Sequence, residues 1–204
     1  MENCTRGNGL MPHFYKPKLR PGDIIACSGS CLQSDFINVV TFGIPRVHAS
    51  HLMICAEVAN ALLLFESTTG CSIPCAINGQ CINGTQAHEI GPRIAEYRGK
   101  VWHYPLVKPL RAEERRRLSK YLINTIALPY DTIGGLRSGG KIWNAINRRL
   151  HPESLSALFC SEWVASALTR IERFDTISAS GWSPNGLIRE LRNRGIVREC
   201  MRMK

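Results

Sequence analysis

Nowhere does the chain hold an unbroken apolar run of the ~18 residues that a membrane-crossing helix needs, so a transmembrane protein is not expected. Its opening stretch, MENCTRGNGLMPHFYKPKLRPGD, lacks the apolar core of a secretory signal, and a cytoplasmic location is the expectation that follows. There is no internal repeat and no low-complexity tract, which removes array architectures and long disordered segments. Acidic residues are scarce: 16 Asp and Glu stand against 26 Lys and Arg, a net charge of +10. Such an excess favours acidic partners, whether nucleic acid, anionic lipid or cell-wall polymer. No RNA-binding aromatic signature accompanies the basic clusters at Arg115–Arg117, Arg148–Arg149 and the tail from Arg189 to Lys204. They read as solvated faces, so specific nucleic-acid binding is not expected and weak association with an anionic surface is.

What is present suits one globular domain. The 204 residues are 44% hydrophobic and 21% charged, enough for a sizeable core without a second domain. The expected layout is a flexible N-terminus over 1–17 and a single domain over 18–204. Nine cysteines is an odd number, so a monomer keeps at least one unpaired thiol, and a reduced protein is the simplest reading. Cys71, Cys75 and Cys81 are spaced C-x3-C-x5-C with His88 nearby. Zinc would accept three thiolates and an imidazole, but the tight paired spacing of structural zinc sites is missing. A local disulfide is a second alternative. The favoured reading is an unbonded, Cys-rich insertion at about 70–86, with no metal and with cysteines dispensable for folding.

Arg20-Pro21-Gly22-Asp23 is a turn signal leading into the apolar run Ile24–Cys27, a strand. His51–Ala56 and Ala61–Glu66 read as two strands of a hairpin. With Glu57–Asn60 as the loop, His51 lies directly opposite Glu66. With a two-residue Ala59-Asn60 turn it lies opposite Thr68, and Glu66 becomes its diagonal neighbour. Either register brings an imidazole near a carboxylate. Lys100–Val107 predicts another strand and Arg111–Ala127 a helix whose apolar face carries Leu118, Leu122 and Ile126. A further helix around Cys160 buries Val164, Ala167, Leu168 and Ile171. Ser183-Pro184 then caps a last helix with Leu187, Ile188 and Leu191 inward and Gly195 at its end. Ile196–Cys200 is expected to return as a final strand. The class is α+β, with an antiparallel sheet early and helices mostly later.

Cys160 opens an apolar-periodic stretch, so it is expected at a helix N-terminus. Unpaired N–H groups there favour a thiolate, which is the nucleophilic form of a thiol. Its own N–H would then also face the oxyanion of a tetrahedral intermediate. His51 is the candidate general base and Glu66 the group that orients it. A carboxylate in the apolar strand Ala61–Glu66 requires a partner in any case. His48 and His103 are rival bases.

Five segments in order, Arg20–Ile25, Ser50–Ile54, Phe65–Ser67, Pro129–Asp131 and Phe159–Val164, resemble the circularly permuted branch of the NlpC/P60 papain-like superfamily. That branch includes the YiiX-like and YaeF-like amidases and, more distantly, the lecithin:retinol acyltransferase-like proteins. Ser183–Leu187 resembles the family's closing element, and the likeness runs from about Lys18 to Gly195. It implies a permuted papain-like fold, with an antiparallel sheet packed against helices. It also implies Cys160 as nucleophile, His51 as base and Glu66 as third member, with the histidine preceding the cysteine in the chain. Tyr130 matches a recurrent family tyrosine and becomes a candidate wall of the substrate pocket. Asp23 matches the Pro-Gly-Asp turn and is expected to be structural. The Cys-rich insertion departs from the family pattern and puts the substrate in doubt.

The expected function is a cysteine hydrolase, an amidase or peptidase acting through a Cys160 thioester on peptide or peptidoglycan-type substrates, without a cofactor. Two alternatives stand beside it. One is a lipid-directed acyltransferase or thioesterase of the same fold; the other is a papain-like module that binds without turnover.

Overall fold

The computed structural model describes residues 18–29, 49–68, 71–128, 152–175 and 182–204. Its elements run β1 (Ile24–Gly29), β2 (His51–Val58), β3 (Ala61–Thr68), β4 (Gly84–Glu89), α1 (Ile90–Glu96), β5 (Gly99–Tyr104), α2 (Ala112–Asn124), α3 (Pro152–Arg170), α4 (Pro184–Asn193) and β6 (Met201–Arg202). The strands form one six-stranded sheet in the order β4-β3-β2-β1-β5-β6. Every pairing is antiparallel, and the class is α+β.

The apolar runs in β1 to β3 are continuous because both faces of the sheet are covered. Ile24, Ala26, Leu52, Ile54, Leu63 and Phe65 point to the main core, which α2, α3 and α4 complete. Ile25, Cys27, Met53, Cys55 and Leu64 point the other way, into a smaller core topped by Ile90 and Ile94 of α1, with Tyr97 and Met203. A strand covered on both sides gains from apolar residues at every position, so period-two alternation disappears. The helical stripes fall where expected: Leu118, Leu122, Val164, Ala167, Leu168, Ile171, Leu187, Ile188 and Leu191 are all fully buried.

The β2–β3 hairpin takes the shorter of its two registers. Val58 pairs with Ala61 and Met53 with Glu66. Ala59 (φ 48°) and Asn60 (φ 65°) both lie in the left-handed region, as a two-residue type I′ turn requires. Asp23 is structural: its Oδ1 accepts the Leu106 N–H at 2.9 Å and its Oδ2 the Arg20 N–H at 3.0 Å. Ser183 caps α4 by accepting the Gly186 N–H at 3.1 Å, and Gly195 (φ 63°) ends it.

Three expectations change. The final strand is not Ile196–Cys200: Val197 makes a single bridge to Leu106, and the strand proper is Met201–Arg202. The segment at about 70–86, whose Cys71, Cys75 and Cys81 are free of disulfides, runs into a strand that was not expected: β4 pairs with β3 from Leu63↔Glu89 to Thr68↔Gly84. Cys75 is not a bystander in that segment. It is 1% exposed in the main core, and its Sγ accepts the Ala87 N–H at 3.4 Å.

Candidate active site

His51 is the first residue of β2 and pairs with Cys27 of β1. Glu66, fully buried on β3, lies diagonally across the hairpin. The pleat sends both side chains to one face, and His51 Nε2 meets Glu66 Oε2 at 2.6 Å. Cys160 arrives from the opposite side of β2, on α3. The Leu52 N–H donates to its Sγ at 3.4 Å, across 108 positions of sequence. The His51 ring also hydrogen-bonds the Cys160 side chain. With Nε2 turned to Glu66, Nδ1 is the nitrogen left for the thiol. The structure thus brings Cys160, His51 and Glu66 together.

One part of the sequence reading fails here. Cys160 does not start a helix: it lies roughly two turns inside α3, counted from Pro152. At that depth its N–H belongs to the helical ladder, so neither a helix-terminal field nor that N–H serves the sulfur or an oxyanion. The apolar pattern opens at Cys160 but the helix extends further back, to Pro152. The charge of a thiolate must instead be met by His51 and by the Leu52 N–H. Tyr130 and the rival base His48 lie outside the described residues. His103 is engaged elsewhere, with Nε2 at 2.8 Å from Asp23 Oδ2.

Burial alone would lower the His51 pKa, but the Cys160 sulfur and then Glu66 outweigh it and raise it to about 9. Glu66 shows the reverse balance. Burial would raise it, yet His51 and Arg93 bring it down to about 2. At neutral pH the site therefore holds an imidazolium beside the Glu66 carboxylate, and an imidazolium next to a sulfur favours the thiolate form.

The sequence reading did not find Arg93. It sits on α1, 5% exposed. Its Nε donates to Glu66 Oε1 at 2.5 Å and its Nη2 to Glu66 Oε2 at 2.9 Å. No element was expected at Gly91-Pro92, although proline is tolerated in a helix's first turn. A signal was available: Ile90, Ile94 and Tyr97 recur at helical spacing, and Arg93 falls within their apolar face.

A second thiol–imidazole–carboxylate group shares Glu66. Cys71, His88 and Glu66 each offer one ligand atom, all within 4.8 Å of one another. A metal ion suits it poorly, because Glu66 Oε1 already accepts from Arg93 and the ion would press against a guanidinium. As a nucleophile pair it is also weaker. Burial pushes the Cys71 thiol up to about 11, and burial holds His88 below the ordinary histidine value. Cys27 and Cys55, both buried, are likewise pushed well up.

No family model matches the chain, and none of the curated proteins does. Among solved structures it is similar to metalloprotein yiiX from Escherichia coli O157:H7, at 16% identity and a TM-score of 0.48, over 89% of this chain and 87% of that one. At that identity and score the likeness adds nothing to the reading of the site, which rests on the side chains themselves.

Proposed function

We propose that the protein is a thiol hydrolase, with Cys160 as nucleophile, His51 as general base and acid, and Glu66 as the group that orients His51 and balances its charge. The observation that carries this is the His51 ring held between Glu66 Oε2, at 2.6 Å, and the Cys160 side chain. The permuted papain-like fold belongs to the same proposal, since the histidine and the acid precede the cysteine on a sheet backed by helices.

The chemistry follows from those positions. The Cys160 thiolate attacks the carbonyl carbon of an amide, and the carbonyl oxygen takes up the electron pair. The tetrahedral intermediate collapses as the C–N bond breaks, and the His51 imidazolium gives its proton to the leaving amine. Water then attacks the thioester while His51 takes one of its protons, and the acid is released as the thiolate returns. Cys160 is fully buried, so substrate must displace what covers the sulfur.

Peptides and peptidoglycan-type fragments are the proposed substrates. The net charge of +10 also favours acylated anionic lipids, through the same thioester. Turnover of short α- and γ-linked peptides compared with that of acylated lipids separates the two. The central test is intact-mass labelling by limiting iodoacetamide near pH 6, where ordinary thiols are nearly all protonated. Cys160 should be modified first, because Cys27, Cys55 and Cys71 are all pushed upward. Labelling spread evenly over the cysteines would sink the assignment and favour a binding module.

A further inference from the structure

A buried carboxylate that serves a base of changing charge needs a second, permanent counter-charge. In the hydrolytic cycle above, His51 is cationic in one half and neutral in the other, while Glu66 has to stay anionic throughout. When His51 is neutral, an isolated carboxylate with no solvent exposure would take up a proton rather than remain charged. A protonated Glu66 could neither orient the ring nor stabilise the next imidazolium.

We propose, resting on that reading of the site, that Arg93 is its positioning residue: its guanidinium fork fixes both oxygens of Glu66 and so presents Oε2 to His51. The two donors, Nε to Oε1 at 2.5 Å and Nη2 to Oε2 at 2.9 Å, leave the carboxylate no rotation about its terminal bond. Arginine suits this task because it stays charged and is planar, whereas a lysine would offer one point of contact.

Arg93 is itself held from behind. Its Nη1 donates to Glu96 Oε2 at 2.9 Å, and its guanidinium lies 5.6 Å from the centre of the Tyr97 ring. Glu96 accepts in turn from the Ser72 N–H at 3.2 Å, from the Ser72 hydroxyl and from the Cys71 thiol. The Cys-rich segment thereby belongs to the support of the site: Ser72 holds Glu96, Glu96 holds Arg93, Arg93 holds Glu66, and Glu66 holds His51.

The test compares Arg93→Met, which keeps the length of the stem without charge, with Arg93→Lys, which keeps the charge without the fork. The readout is the pH dependence of Cys160 alkylation by iodoacetamide, with folding monitored by circular dichroism. In Arg93→Met the profile should move about one unit to higher pH and the rate near pH 6 should fall roughly tenfold, with Arg93→Lys in between. A folded Arg93→Met with the wild-type profile, under conditions where His51→Ala shifts it, would overturn the proposal.

Failure of the underlying reading looks different. It shows in the wild type alone, as an absence of preferential Cys160 labelling. Should Arg93→Met not fold, the native protein decides. The Arg93 Nε–H resonance should shift with the same midpoint as the His51 ring. A signal that ignores that titration would reduce Arg93 to a structural ion pair.

Discussion

His51 has two partners, and its charge state sets the working range of the proposed enzyme. Because its pKa is raised to about 9, the stability it gains from protonation is complete below the ordinary histidine value of 6.5 and drains away as pH rises through about 9. Leaving-group protonation needs the same imidazolium. Hydrolysis should therefore decline on an alkaline limb near pH 9. Glu66→Gln removes the anion and should move that limb downward, while impairing activity less than His51→Ala does. A pH profile of kcat/KM checks this, and an alkaline limb unmoved by Glu66→Gln would count against the assigned roles. Cys75 gives a second test. Serine there puts a more polar group into the main core, so Cys75→Ser should cost about 1–3 kcal/mol, whereas Cys71→Ser and Cys81→Ser should stay within about 0.5 kcal/mol. Urea midpoints decide it, and equal midpoints for all three would show that the core does not use Cys75. This residue marks a limit of the sequence: cysteine spacing reveals a cluster, but not which thiol faces inward, because the answer depends on where β4 docks. The His51–Glu66 pairing was legible because a hairpin is local and its arithmetic allows only a few registers. Arg93 was not, because its partner lies 27 residues away and no local pairing links the two.

At the scale of elements, two junctions carry measurable energy. The β2–β3 turn places Ala59 at φ 48°, where a Cβ crowds the following carbonyl at a cost of about 1 kcal/mol. Asparagine tolerates this region better, so Ala59→Asn should raise stability by up to about 1 kcal/mol without touching the site. A thermal melt with an unchanged or lowered midpoint would argue against the type I′ geometry. The second junction ties the start of α2 to the chain beyond α3. Arg173 donates from Nε and Nη2 to the two oxygens of Glu114, each at 2.8 Å, and Glu114 also accepts the Arg111 N–H at 2.6 Å. Arg173 first, with the Arg111 N–H adding to it, lowers the Glu114 pKa to about 2. A depressed carboxylate contributes stability above its ordinary value of 4.5 and loses it as pH falls toward 2. Arg173→Met should therefore destabilise by about 1.5–3 kcal/mol at neutral pH, and the gap from wild type should close in acid. Urea titrations at the two pH values measure it, and a gap that persists in acid would mean that Arg173 acts by packing alone. The α2 stripe was readable from Leu118 and Leu122, which recur at helical spacing. The Arg173 clasp was not, since neither residue belongs to any local pattern.

For the whole molecule, the organising fact is a sheet covered on both faces, with helices α2 to α4 on one side and α1 with the C-terminal residues on the other. Composition and periodicity gave the α+β class and the helical stripes, because burial of each stripe depends only on its own element. They did not give β4, whose Thr85, Gln86 and His88 are polar and yet buried. Propensity reads such a strand as loop, and only its pairing with β3 makes it one. Cys160, the proposed nucleophile, was likewise expected in the wrong part of its helix, since the apolar pattern tells where burial begins rather than where hydrogen bonding begins. The distance along the chain between the two halves of the site has a consequence for synthesis. His51, Glu66 and Arg93 all lie in the first half of the chain, and the sulfur reaches them only when α3 docks on β2. On the proposed roles, a growing chain therefore carries its acid, base and supporting arginine long before it carries Cys160. The proposed site would stay silent until the sheet has a helix to receive, and the onset of preferential Cys160 alkylation would time the closing of the fold.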